Sequence, residues 1–173
     1  MPAPIRYLPL LLTAPAAFGD TSDLSYESYI HSNKRIKCLY GYAAEKTGDH
    51  AAAVQIFEDC IARWNDVYSM IWLAQMYESG MGMPQSLEKA AALVKRGAEQ
   101  PDSAAYVSLA RYHWGVALAE GRGVAKDLKA ARRWLQRASK DGQTEADEYL
   151  LGLDRTTRSM NAERLNNNNE TFR

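Results

Sequence analysis

The chain has 173 residues, 46% of them hydrophobic and 24% charged, an ordinary make-up for one folded domain with a continuous core. Its 21 Lys and Arg balance its 21 Asp and Glu. No global field therefore draws it onto a phosphate backbone or an anionic membrane surface, and nucleic acid is excluded as the expected partner.

The first residues read as an export signal. Arg6 precedes the apolar stretch Tyr7-Leu8-Pro9-Leu10-Leu11-Leu12, and small residues between Ala14 and Gly19 would permit cleavage after Ala16 or Gly19. The single cation and Pro9 leave a plain apolar tail as the alternative. On this reading residues 1–19 are a signal and 20–28 a linker. No other run approaches the roughly 18 to 20 apolar residues a membrane span needs, so none is expected.

Helical periodicity starts near Tyr29. Leu39, Tyr40, Ala43 and Ala44 fall at helical spacing, Lys46-Thr47-Gly48-Asp49-His50 makes a turn, and Ala51 to Trp64 carries Ala53, Val54, Phe57, Cys60 and Ile61 on one stripe. This predicts a helical hairpin over 29–64. Cys38 lies near the start of its first helix and Cys60 near the end of its second, so antiparallel pairing brings them together. In an oxidising compartment they are expected to form a disulfide; in a reducing one they would be two buried thiols.

A second hairpin is predicted over 68–98. Its first helix ends at Gly80-Met81-Gly82, and Ser86 is placed to cap a second helix whose apolar face is Ala90, Ala91, Leu93, Val94 and Ala98. Pro101-Asp102-Ser103 should break that helix and cap the next. The third hairpin, over 104–140, repeats the plan, with Gly121-Arg122-Gly123 at its turn and Leu128, Ala131, Trp134, Leu135 and Ala138 inward. A last helix over 144–160 carries Tyr149, Leu150 and Leu153 to cover the end of the stack. The tail 161–173, with Asn166 to Asn169 in a row, has too few apolar groups to offset ordering and is expected to be disordered.

The two glycine turns stand at a fixed offset of 41 residues, Gly80 to Gly121, a period that signals stacked helical hairpins. Neither turn follows a strand or continues into a phosphate-binding motif, so Gly80, Gly82, Gly121 and Gly123 are structural turn residues. The second and third hairpins resemble Sel1-like repeats, a subclass of the tetratricopeptide superfamily. The third matches at Gly115, Gly121, Gly123, Val124, Asp127, Ala131, Trp134 and Ala138, the second at Leu73, Tyr77, Gly80, Gly82, Ala90 or Ala91, and Ala98. Departures are Ala74 for the helix-contact glycine, Met83 for Val, Ser86 or Leu87 near the Asp position, and Leu118 for Tyr. The first hairpin lacks the glycine turn and looks more like a plain tetratricopeptide unit, with Gly41, Ala53 and Phe57 at packing spacing. The resemblance covers about residues 35–140. It implies an all-α, right-handed α-solenoid of antiparallel hairpins whose first helices line a concave face, with a capping helix at its C-terminal end.

His31, His50 and His113 are dispersed and the cysteines lack paired spacing, so no metal and no cofactor are expected. Glu58-Asp59 and Glu145, Asp147 and Glu148 read as solvated helix faces, and no catalytic residues are assigned. Helix phasing from Phe57, Tyr77 and Trp134 places Tyr42, Tyr68, Ile71, Gln75, Glu78, Leu109, Tyr112 and Val116 on the inner face. Such a strip of aromatic and apolar groups with polar edges could hold a peptide, unless the C-terminal helix fills the groove or the repeats pack it closed. The family resemblance implies a non-catalytic adaptor or scaffold in a periplasmic or envelope assembly, its partner another protein or peptide of the envelope. Two rivals stay open: a permanent accessory subunit that binds through its convex face or ends, and a β-lactamase-like or cell-wall hydrolase, which the missing Ser-x-x-Lys arrangement disfavours.

Overall fold

A computed structural model describes residues 25–170. The expected signal over 1–19, the first part of the linker and residues 171–173 lie outside the described residues. Within them the chain forms eight helices and no strand: α1 (Glu27–Ile30), α2 (Lys37–Thr47), α3 (His50–Trp64), α4 (Val67–Ser79), α5 (Leu87–Ala98), α6 (Val107–Glu120), α7 (Leu128–Lys140) and α8 (Thr144–Glu170). Each helix packs on the next from α2 to α8, so the chain zigzags through three hairpins, α2/α3, α4/α5 and α6/α7, and ends on a single helix. The fold is an all-α solenoid.

Short polar residues set where helices begin. The side chains of Asp49, Asp66, Ser86 and Asp127 accept hydrogen bonds from the backbone N–H groups of Ala52, Ser69, Lys89 and Ala130, pairing donors that the first turn would otherwise leave free. Gly80 and Gly121 close α4 and α6 in the left-handed conformation at φ 74° and 76°, which costs a residue without Cβ little. Inside the hairpins, close approach replaces side chains. A Cβ on Gly41 would meet Phe57 Cε1 at 2.6 Å, and one on Gly115 would meet Leu135 Cγ at 2.7 Å. The second glycine of each turn joins one repeat to the previous one: Gly82 packs on His50 at the start of α3, and Gly123 on the carbonyl of Leu87 at the start of α5.

Two buried cations fasten the stack. Lys37 is fully buried, donates to the Ile30 carbonyl at 2.8 Å and pairs with Asp59, which ties α1 and α2 to α3. Arg111, also fully buried, pairs with Asp102 and Asp141 and donates to the carbonyls of Ala98 and Gln100. It spreads its charge over four acceptors from the ends of α5 and α7, which offsets the cost of taking a guanidinium out of water.

Several expectations are corrected. The buried face of α2 is Lys37, Cys38, Gly41, Ala44 and Glu45, whereas Leu39 is 49% exposed, because α3 approaches from the side that carries Gly41. Leu128, expected inward, is 44% exposed at the first position of α7. Asp102 and Ser103 do not cap α6, which starts after Tyr106; Asp102 is engaged by Arg111 and Arg137 instead. A one-turn helix, α1, straddles the expected boundary between the linker and the first hairpin. The backbone of residues 161–170, expected without structure, continues α8 to Glu170, in keeping with the strong helix formers Ala162, Glu163, Arg164 and Leu165.

The first helices of the hairpins run side by side, α4 touching both α2 and α6. On the opposite side a cleft of about 400 Å³, lined by Glu58, Ile61, Tyr77, Lys89, Leu93 and Arg96 among others, separates α3 from α5. Closer first helices and parted second helices curve the row, with α2, α4 and α6 on its inner side. α8 takes the place of a fourth first helix, its Ala146, Tyr149, Leu150 and Leu153 packed on Leu135 and Ala138 of α7 and on Tyr112 and Val116 of α6.

Candidate functional site

The inner face divides into two halves of different chemistry. Over α2, α4 and the residue before α6, aromatic rings form a connected strip. The Tyr42 ring lies 4.5 Å from that of Trp72, Trp72 lies 6.1 Å from Tyr68, and Tyr68 lies 5.0 Å from Tyr106. Adjacent ring planes are inclined by 48° to 63°, so the touching rings form a ridged and not a flat surface. Tyr42 is 37% and Tyr106 48% exposed, and next to them Ile36 and Leu39 of the α2 segment are more exposed still. Beside the strip a recess of about 430 Å³ is lined by Arg35, Ile36, Leu39, Asp66, Tyr68 and Tyr106 among others, and Cys38 forms part of its wall. Burial, reinforced by the neighbouring Tyr106 and Tyr42, pushes the Tyr68 hydroxyl up to about 12. It stays protonated through the physiological range.

Tyr106 adopts φ 63°, a left-handed conformation uncommon for an aromatic residue. No side chain caps the helix there, and the ring is held out against Tyr68. At the other end of the strip the Lys46 ammonium sits 5.3 Å above the Tyr42 ring and 5.0 Å above that of Trp72. Lys46 pairs with Glu45, and Arg35 with Asp66 at 3.0 Å in both cases. The cations face outward, with side chains 50% and 64% exposed, while the two carboxylates are turned in at 6% and 10%.

The second half of the inner face is closed by α8. Tyr112 packs edge-on against Tyr149, and Val116 is buried between α7 and α8. Tyr149 donates to Glu120 at 2.9 Å, and Arg122 reaches Glu120 at 2.9 Å and Glu78 at 3.5 Å. Burial raises the Tyr112 hydroxyl, with Glu145 and Glu120 adding, and burial lowers His113, with Arg122 adding. This half is a packed, ion-paired surface.

Of the strip expected from the sequence, Tyr42 and Tyr68 are brought together on the open half. Ile71 and Val116 are corrected to the core at 2% and 6% exposure, because α4 is enclosed by helices on several sides and α8 covers α6. Leu109 packs against the core, Tyr112 lies under α8, and Gln75 and Glu78 are half-buried on α4. Trp72, Tyr106, Ile36 and Leu39 went unassigned. Trp72 stands four residues after Tyr68 on one helix, and Ile36, Leu39 and Tyr42 recur at three-residue steps, spacings that place each set on a shared face. Cys38 and Cys60 are joined by a disulfide with Cα atoms 6.0 Å apart. Among the described residues no group of three His, Cys, Asp or Glu side chains could hold a metal ion, and no helix is long and apolar enough to cross a membrane.

Two segments, residues 67–102 and 108–143, match the Sel1 repeat family; each holds one of the two hairpins with a glycine turn. The fold is similar to the crystal structure of a Sel1 repeat protein from Oxalobacter formigenes, with a TM-score of 0.57 and 22% sequence identity over 65% of this chain and 44% of that one. The chain thus spans less than half the length of that protein. No curated protein matches the sequence. Sel1 repeats generally mediate protein–protein interaction.

Proposed function

We propose that this chain is a non-catalytic adaptor that holds a segment of another protein on the open half of its inner face, in an assembly of the cell envelope. The observation that carries the reading is the strip Tyr42–Trp72–Tyr68–Tyr106: four rings from three successive structural units, two of them more than a third exposed, in one continuous surface. Rigid aromatic groups supply contact area at small rotamer cost and dominate binding energy where they occur at interfaces. The leader-like first residues and the Cys38–Cys60 disulfide support an extracytoplasmic site of action.

The test compares the parent with a Tyr42→Ala, Tyr106→Ala variant as bait in a pull-down from the native envelope, each checked by circular dichroism. Because both rings are exposed, the helices should persist while partner recovery falls at least about tenfold. Undiminished recovery by a folded variant would move the binding site elsewhere. One observation favours such a site, and with it the permanent-subunit reading: α8 carries Leu151 and Met160 at 58% and 60% exposure.

A further inference from the structure

We infer that the segment held on the open half is an extended, proline-bearing stretch with acidic residues on either side of its prolines. This rests on the groove reading above and goes further, to the chemistry of the partner. Two independent features carry it: the shape of the strip and the charge around it.

The rings touch at an incline, so the surface is ridged and not a flat platform, and Tyr42 and Tyr106 leave part of their rings open to solvent. A rigid pyrrolidine packs against such exposed aromatic surface. A polyproline II segment presents such rings at about 3 Å per residue and arrives already extended, with little conformational entropy left to lose. Tyr106 contributes to the fit through its backbone. Held at φ 63°, it keeps its ring against Tyr68 at the rim of the recess, an arrangement that a helical φ at this position would turn away.

The charge follows from which groups face out. Lys46 at one end and Arg35 beside the recess present their cationic heads, while Glu45 and Asp66, the acids that pair with them, are turned inward and almost covered. Asp66 is further occupied as the cap of α4, accepting from the backbone N–H and the hydroxyl of Ser69. An approaching chain therefore meets outward-facing cations on a protein whose formal net charge is zero. Arg35 gives Asp66 one of its five N–H donors and has others for a partner carboxylate. The closed half carries the opposite bias, with Glu78 and Glu120 sharing the single cation Arg122 and Glu145 acting on Tyr112 and His113 nearby. An acidic segment is drawn to the aromatic half and repelled from the other.

The experiment uses fluorescence anisotropy with three labelled ten-residue peptides, of alternating proline and aspartate, alanine and aspartate, and proline and lysine. The proline–aspartate peptide should bind saturably to the protein with its disulfide intact. Both controls should bind at least about tenfold more weakly, and binding should weaken as salt is raised through the range where the Debye length falls below about 8 Å. The Arg35→Gln variant, which leaves Asp66 its bonds to Ser69, should lose several-fold in affinity and show a weaker salt dependence, with the part due to Lys46 remaining. Equal binding by either control, or no binding by the proline–aspartate peptide, overturns the inference. If the peptide fails to bind while the Tyr42→Ala, Tyr106→Ala variant still loses its partner, the groove reading stands and only the partner chemistry falls. If the double variant keeps both its partner and the peptide, both readings fall.

Discussion

Gly121 and Gly123 sit two residues apart at one turn and take nearly the same backbone angle, φ 76° and 66°, yet they do different work. A Cβ on Gly121 would meet Lys126 Cβ at 3.4 Å, an ordinary contact, so Gly121→Ala carries only the strain of a left-handed residue, about 1 kcal/mol. A Cβ on Gly123 would fall on the Leu87 carbonyl of the preceding repeat. Backbone cannot swing aside as a side-chain end can, and Gly123→Ala should cost about 3 kcal/mol or more. Thermal or urea melts of the two variants check this, with Gly123→Ala the less stable. Equal melts would show that the repeats do not depend on this contact. The glycines were legible from the sequence as a repeated turn. Which one joins neighbouring repeats was not, because the deciding atom belongs to a residue more than thirty positions away.

At the scale of elements, α2 is both the first long helix of the stack and the bearer of Leu39, Tyr42 and Lys46. It is held to α3 by the Cys38–Cys60 bond, the Gly41–Phe57 contact and the Lys37–Asp59 pair. The disulfide closes a loop with a sequence separation of 22 and should stabilise by about 3 kcal/mol in the chain-entropy estimate. Reduction, or a Cys38→Ser, Cys60→Ser variant, should lower the melting temperature and weaken peptide binding, because the strip loses the firm seating of its first helix. Melts and anisotropy with and without reductant read both effects. The hairpins themselves were legible because α3, α5 and α7 each bury one face and wet the other, which the sequence writes as a stripe. α4 was not. Its Val67, Ser69, Met70, Ile71, Leu73, Ala74 and Met76 are all buried, so its pattern is apolar nearly all round and fixes no phase. Ile71 was therefore placed in the groove while Trp72, its neighbour, forms part of the strip.

At the scale of the whole molecule, a solenoid holds each unit through its neighbours, so damage at one end should not travel far. α8 covers the last hairpin with Ala146, Tyr149, Leu150 and Leu153, and its further links are the Arg132–Asp154 pair, the Arg132 bond to Thr157 and the bond from Ser139 to Asp147 at 2.6 Å. These contacts fall between residues 146 and 157. A chain ending at residue 158 should therefore melt within a few degrees of the parent. A chain ending at residue 143 should expose Val116, Leu135 and Ala138, three side chains now no more than 6% exposed. At roughly 1.5 to 3 kcal/mol for each large apolar side chain returned to water, the loss should exceed 3 kcal/mol and be accompanied by binding of a hydrophobic dye. The strip is built on α2, α4 and Tyr106, ahead of the exposed end, so at a temperature where the shorter chain stays folded its affinity for the proline–aspartate peptide should match the parent's. A fall in affinity without a fall in helix content would show that α8 acts on the groove as well as closing the core.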